Sequence, residues 1–151
     1  MIYEIICKAR QALIITALAI MVANVFIGVM FRYLLNNSLS WTEELARYLM
    51  VWLGLLGMSL AMKDCEHVGV KFFFDKIPER FKPAVKIFDR LVVMVFLVVL
   101  FKYSIDHLKI VTLQTSPAIE MPMYLPYSAI TVGALLMIIE NLRHIILRTK
   151  E

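Results

Sequence analysis

Few residues in this chain could do chemistry, and their spacing argues against most kinds of it. Cys7 and Cys65 lie 58 residues apart, in no CxxC or metal-ligand arrangement. The chain therefore encodes neither a disulfide framework nor the closely spaced dithiol that a membrane thiol oxidoreductase needs. Glu66-His67 and Asp106-His107 are adjacent pairs. Adjacent side chains diverge on any regular element, and neither pair has a spaced second set, so no metal or cofactor is expected on this chain. His67, His107 and His144 fall at or beyond the ends of apolar runs, away from the axial positions that haem in a four-helix core requires. Asn24, the one strongly polar residue inside the first apolar run, fits either an interhelical hydrogen bond or the lining of a solute path. The densest group is Trp41, Glu43, Glu44 and Arg47. On a helix, Arg47 follows Glu43 by four residues and Glu44 by three, the favourable order for ion pairing. Such a group serves as an interfacial anchor or as an assembly surface.

The elements that must position these residues are set by composition. Of 151 residues, 61% are hydrophobic and only 19% charged, against about 45 to 50% apolar in soluble proteins, and the mean hydropathy is +0.77. Charges cluster between long uncharged runs, the pattern of membrane spans separated by polar loops. The formal charge of +4 comes from Lys and Arg at the ends of those runs, where membrane topology explains them and nucleic-acid binding is not implied. The expected fold is an all-α membrane protein of a single domain, residues 1–151, with four transmembrane helices near residues 11–31, 45–63, 88–107 and 121–140. The first run follows Lys8 and Arg10 as a signal peptide would, but its 21 uncharged residues outlast a signal core and read as an uncleaved anchor. The second is short, and Ser40-Trp41-Thr42-Glu43 before it has the form of a capping box, which predicts an interfacial helical extension beginning near Trp41. The third has an uncharged core of only 11 residues, Leu91 to Phe101, and spans only if Asp89, Arg90 and Lys102 reach the interfaces. Pro122 and Pro126 fall in the first turns of the fourth, where a missing N–H costs little.

With four spans both termini share a side. The N-terminal segment, the loop between the second and third spans and the C-terminal tail hold 12 Lys and Arg, against 4 on the other side, which predicts an N-in, C-in topology. No ionisable residue falls within the uncharged runs of the first and fourth spans. That weighs against a proton-coupled exchanger, which needs an intramembrane carboxylate. Small residues spaced four apart, Ala19 and Ala23, Gly57 and Ala61, Ala129 and Gly133, allow close helix approach inside one subunit or against a partner.

Taken in order, Arg32-Tyr33 closing the first helix, Ser40-Trp41-Thr42-Glu43-Glu44, Arg47-Tyr48 and Gly57 in the second, His67-Val68-Gly69-Val70 opening the loop, and Gln114, Pro117, Pro122 and Tyr127 around the last helix resemble the small membrane subunit of tripartite ATP-independent periplasmic (TRAP) transporters, the DctQ-like family. The resemblance implies a multi-pass protein of the bacterial inner membrane and no enzyme activity. It implies two protein partners beside membrane lipid: a large DctM-like membrane subunit carrying the solute and sodium sites, and a periplasmic substrate-binding protein that delivers an organic acid such as a C4-dicarboxylate, a keto acid or sialic acid. The small subunit would brace the large one and contribute to docking. Candidate partner-interface residues are then Arg32, Trp41, Glu43, Glu44, Arg47, Gly57, His67, Gln114, Pro122 and Tyr127. The alternative is a self-contained small transporter or channel formed by homo-oligomerisation.

Overall fold

The computed structural model describes residues 2–64, 78 and 82–148. Four helices account for nearly all of them: α1 (Ile2–Leu34), α2 (Ser40–Asp64), α3 (Lys82–Val111) and α4 (Tyr124–Arg148). Each contains a stretch long and apolar enough to cross a membrane. The helices outrun the uncharged runs because a charge ends an apolar run without ending a helix, and at 1.5 Å per residue the extra turns carry the chain into the headgroup layers. The third helix, whose apolar core is shortest in the sequence, is a continuous 30 residues.

Extensive packing joins α1 to α2, α2 to α4, and α4 to α3. The lateral order α1–α2–α4–α3 makes α4 a central element: 33% of its apolar stretch is buried within the chain, against 6% for α1. The covered residues of α1 are Tyr3, Cys7, Arg10, Ile14, Ala17, Met21, Asn24, Gly28 and Phe31. Their spacing alternates four and three, a 3.5-residue period that keeps one seam against a neighbouring helix along the full length. Two glycines permit close approach. A Cβ at Gly28 would lie 2.7 Å from Thr42 Oγ1, and one at Gly133 would lie 2.7 Å from Leu55 Cβ. Of the small-residue stripes, Ala129 and Gly133 are buried inside the chain, whereas Ala19, Ala23 and Ala61 are exposed. Around Gly57 a Cβ would meet nothing within 4 Å among the described residues, so close packing at Gly57 is not seen among them.

Two local readings of the sequence are corrected. The capping box is not formed as expected: α2 already includes Ser40, and the Thr42 N–H and hydroxyl turn back to the Leu39 carbonyl at 3.2 and 2.7 Å. Glu43 is drawn instead to Arg32. Pro122 precedes the fourth helix, which starts at Tyr124, and pairs with Thr115 in an isolated antiparallel bridge; Pro126 alone sits in the first turn, where its missing N–H needs no intrahelical acceptor.

Candidate functional site

The interior is unusually polar. Among the described residues nine polar or charged side chains are buried, Arg10, Asn24, Thr42, Glu44, Ser59, Ser104, Ser116, Glu140 and Asn141, beside seven apolar ones. In lipid this is the expected sense, because apolar side chains gain nothing by leaving the tails while polar groups gain partners by turning inward.

One cluster ties the N-terminal third of α1 to the end of α4. Arg10 Nη2 donates to Glu140 Oε1 at 2.5 Å, with the two residues 8% and 2% exposed. The Tyr3 hydroxyl donates to Glu140 Oε2 at 2.8 Å, and Arg10 also reaches Ser59 Oγ on α2 and Cys7 Sγ, both at 3.4 Å. Arg143 lies 4.0 Å from Glu140 Oε2, and its guanidinium carbon stands 3.4 Å from the centre of the Tyr3 ring, a cation–π stack. Nearby, Asn141 Nδ2 donates to the Arg90 carbonyl at 3.1 Å, Arg90 donates to the His144 carbonyl at 2.7 Å, and His144 Nε2 stands 3.0 Å from the Met62 carbonyl. All four helices are thus cross-linked at this end. The uncharged runs of the first and fourth spans stay free of charge, but the longer helices extend past them to Arg10 and Glu140, which lie buried and paired with each other.

The second cluster is at the opposite end. Glu44, 2% exposed, accepts the Ala118 and Ile119 N–H groups on Oε2 at 2.9 and 3.2 Å, and the Tyr48 hydroxyl on Oε1. The loop it holds, between α3 and α4, is a tight hairpin. Ser116 N–H bonds the Met121 carbonyl at 2.8 Å and Met123 N–H bonds the Gln114 carbonyl at 2.9 Å. Glu120 has φ 57°, a left-handed conformation that a side chain other than Gly or Asn adopts only where its surroundings impose it. Between this cluster and the middle of the chain, Asn24 Nδ2 donates to the Thr42 carbonyl at 2.7 Å, so Asn24 joins α1 to α2 and its Oδ1 is buried with no partner among the described residues.

The expected ion pairing of Arg47 with Glu43 and Glu44 is corrected by the same geometry. Glu43 pairs with Arg32, both about half exposed at 55% and 49%, and Glu44 is committed to the loop. Arg47 is exposed on α2, in no ion pair among the described residues. Trp41 is 40% exposed. Gln114 and Pro122 stand on the hairpin, and Tyr127 meets His107 edge to face with ring centres 5.0 Å apart. His67 and its neighbours Glu66 and Cys65 lie outside the described residues. The sequence-predicted residues therefore fall into separate groups: Arg32 with Glu43, Glu44 with the hairpin that carries Gln114 and Pro122, Tyr127 on the α3 side, and Arg47 and Gly57 on α2. Missed in the sequence were Arg10, Glu140, Tyr3 and Arg143. The available signal was that Glu140 is the one acidic residue between 121 and 150.

Four apolar helices, each able to cross a bilayer and joined through buried polar contacts, define a multi-pass membrane protein. Among the described residues no three His, Cys, Asp or Glu side chains come together as metal ligands. The family model described as "Tripartite ATP-independent periplasmic transporters, DctQ component" matches residues 21–151. The chain belongs to this family; it is a small permease subunit of a TRAP transporter, and not an enzyme. It is 30% identical over 129 residues to a TRAP transporter small permease protein of Haemophilus influenzae, covering 85% of this chain and 80% of that one. Over 80 residues, 53% of this chain and 46% of the relative, it is 35% identical to the sialic acid TRAP transporter small permease protein SiaQ of Vibrio cholerae. It is also 31% identical over 105 residues to the isethionate TRAP transporter permease protein DctMQ of Oleidesulfovibrio alaskensis; the match takes in 68% of this chain but 16% of that much longer protein.

Proposed function

We propose that this chain is the accessory membrane subunit of a sodium-coupled TRAP importer of organic acids, of the C4-dicarboxylate, keto acid or sialic acid class, and that it braces a large DctM-like subunit in the bacterial inner membrane. The observation that carries this reading is the commitment of both carboxylates buried among the described residues. Glu140 is held by Arg10 and Tyr3, and Glu44 by two backbone N–H groups and Tyr48, which leaves neither to bind sodium or solute. The match to a short part of DctMQ supports a large neighbour. Arg47, Met50, Gly54, Met58 and Ala61 form the exposed stripe of α2, with Gly57 at its edge. A Cβ at Gly54 or Gly57 would meet nothing within 4 Å among the described residues, so the face can accept a helix at close range. We assign it to the large subunit. Gly57→Leu should leave the isolated chain as stable as before and reduce co-purification of the large subunit several-fold. Equal recovery of the complex, with undiminished uptake, would remove Gly57 from the interface.

In this reading both termini are cytoplasmic and the hairpin held by Glu44 faces the periplasm, with Gln114 and Pro122 available to the substrate-binding protein. The exposed side chain of Leu113 offers a test of sidedness. In a Cys7→Ser, Cys65→Ser background, Leu113→Cys should react with a membrane-impermeant maleimide added outside spheroplasts. Reaction only after lysis would reverse the topology.

A further inference from the structure

The groove between the last turns of α3 and the start of α4 is an open cavity of about 420 Å³ that neither buried cluster uses. Tyr103, Asp106, His107 and Tyr127 line its loop end, and Leu100 and Ile130 line the part that runs toward the middle of the helices. We propose that this groove holds one phospholipid with a primary ammonium headgroup, of the phosphatidylethanolamine class.

Three features of the site match that ligand. The His107 and Tyr127 rings meet at 73° with centres 5.0 Å apart, forming a corner of two aromatic walls, and Tyr103, 67% exposed, stands beside it. Aromatic faces attract an ammonium ion through the ring quadrupole, most strongly where water is partly excluded. The Asp106 carboxylate adds a negative charge and an acceptor for ammonium N–H groups. Lys109, outside the lining itself, places its Nζ 3.0 Å from Asp106 Oδ1, so a positive charge stands beside the negative one at the groove's edge, as a zwitterionic headgroup of ammonium and phosphate requires. The apolar walls then continue along the acyl chains. The polar atoms at the floor are already satisfied: Thr131 donates to Ser104 Oγ at 3.0 Å and Ser104 donates to the Phe101 carbonyl at 2.8 Å. Ligand hydrogen bonds are thereby directed to the rim. An anionic lipid without an ammonium group, such as phosphatidylglycerol, would bring no cation for the aromatic corner and would meet the Asp106 charge, while a choline headgroup would offer no N–H to that carboxylate.

The test is native mass spectrometry of the complex as purified, after exchange into nanodiscs containing equal parts of phosphatidylethanolamine, phosphatidylglycerol and phosphatidylcholine. One phosphatidylethanolamine should be retained on the small subunit several-fold more often than either competitor. Tyr103→Ala and Asp106→Asn, both at exposed positions, should each reduce that retention several-fold, whereas Ile15→Ala on the exposed face of α1 should not change it. Equal retention of the three lipids, no retained lipid, or retention unaltered by both groove variants would overturn the proposal.

Discussion

Glu140→Ala should be among the most destabilising single substitutions available in this chain, lowering stability by about 3 kcal/mol, because it strands a buried guanidinium. Arg10 is 8% exposed and its Nε already has no partner among the described residues. Without Glu140 the remaining contacts are Ser59 Oγ and Cys7 Sγ, both long at 3.4 Å, and the Tyr3 hydroxyl loses its acceptor. The penalty is tempered in a bilayer, where a loosened helix finds other polar partners. Glu140→Gln keeps the shape and one acceptor and should cost less, about 1 to 2 kcal/mol. The double substitution Arg10→Leu with Glu140→Leu removes both charges and should lie much nearer the wild type than either single change. Thermal unfolding, in one detergent, of the wild type, the two Glu140 variants above, the single changes Arg10→Leu and Glu140→Leu, and their double checks this. A double variant as unstable as the sum of the singles would show that the pair is not a coupled unit.

Glu44→Ala should act at the other end and on a different quantity. The carboxylate is the acceptor of the Ala118 and Ile119 N–H groups, so its removal frees the hairpin while the α2–α4 contact of Leu55 with Gly133 remains. Amide exchange at Ala118 and Ile119 should accelerate roughly tenfold or more, with the helix amides around Leu55 little changed. Uptake that depends on the binding protein should fall in parallel. Glu44→Gln retains a carbonyl acceptor and should restore much of the protection. Global loss of protection in Glu44→Ala would mean that the hairpin contact supports the whole fold rather than the loop.

The number and character of the spanning helices among the described residues were legible in the sequence, because apolar runs bounded by charge report span count directly. Their limits were less so, since an uncharged run ends where a charge begins, whereas α1 and α4 continue through Arg10 and Glu140. The interior was illegible for a related reason. In a soluble protein hydrophobicity separates inside from outside, but here Phe26 and Val95, each 65% exposed, are as apolar as anything buried. The seam of α1 is marked instead by its exceptions, Arg10, Asn24 and Gly28. Ion pairing at Glu43, Glu44 and Arg47 was inferred from spacing on a lone helix; the turn before α2 brought Arg32 to Glu43, and a loop more than seventy residues away took Glu44. Gly57 and Gly133 look alike in sequence, and only the neighbouring helix separates them: Leu55 crowds Gly133, and none of the described residues approaches Gly57.

The most direct test of an accessory role is solute uptake, with and without an inward sodium gradient, into sodium-free proteoliposomes containing this chain alone, or this chain with the co-purified large subunit, each supplied with the substrate-binding protein. The account predicts no gradient-dependent uptake by the chain alone and sodium-driven uptake when the large subunit is present. Sodium-driven uptake by this chain in the absence of any other membrane protein would contradict it and establish a self-contained homo-oligomeric transporter.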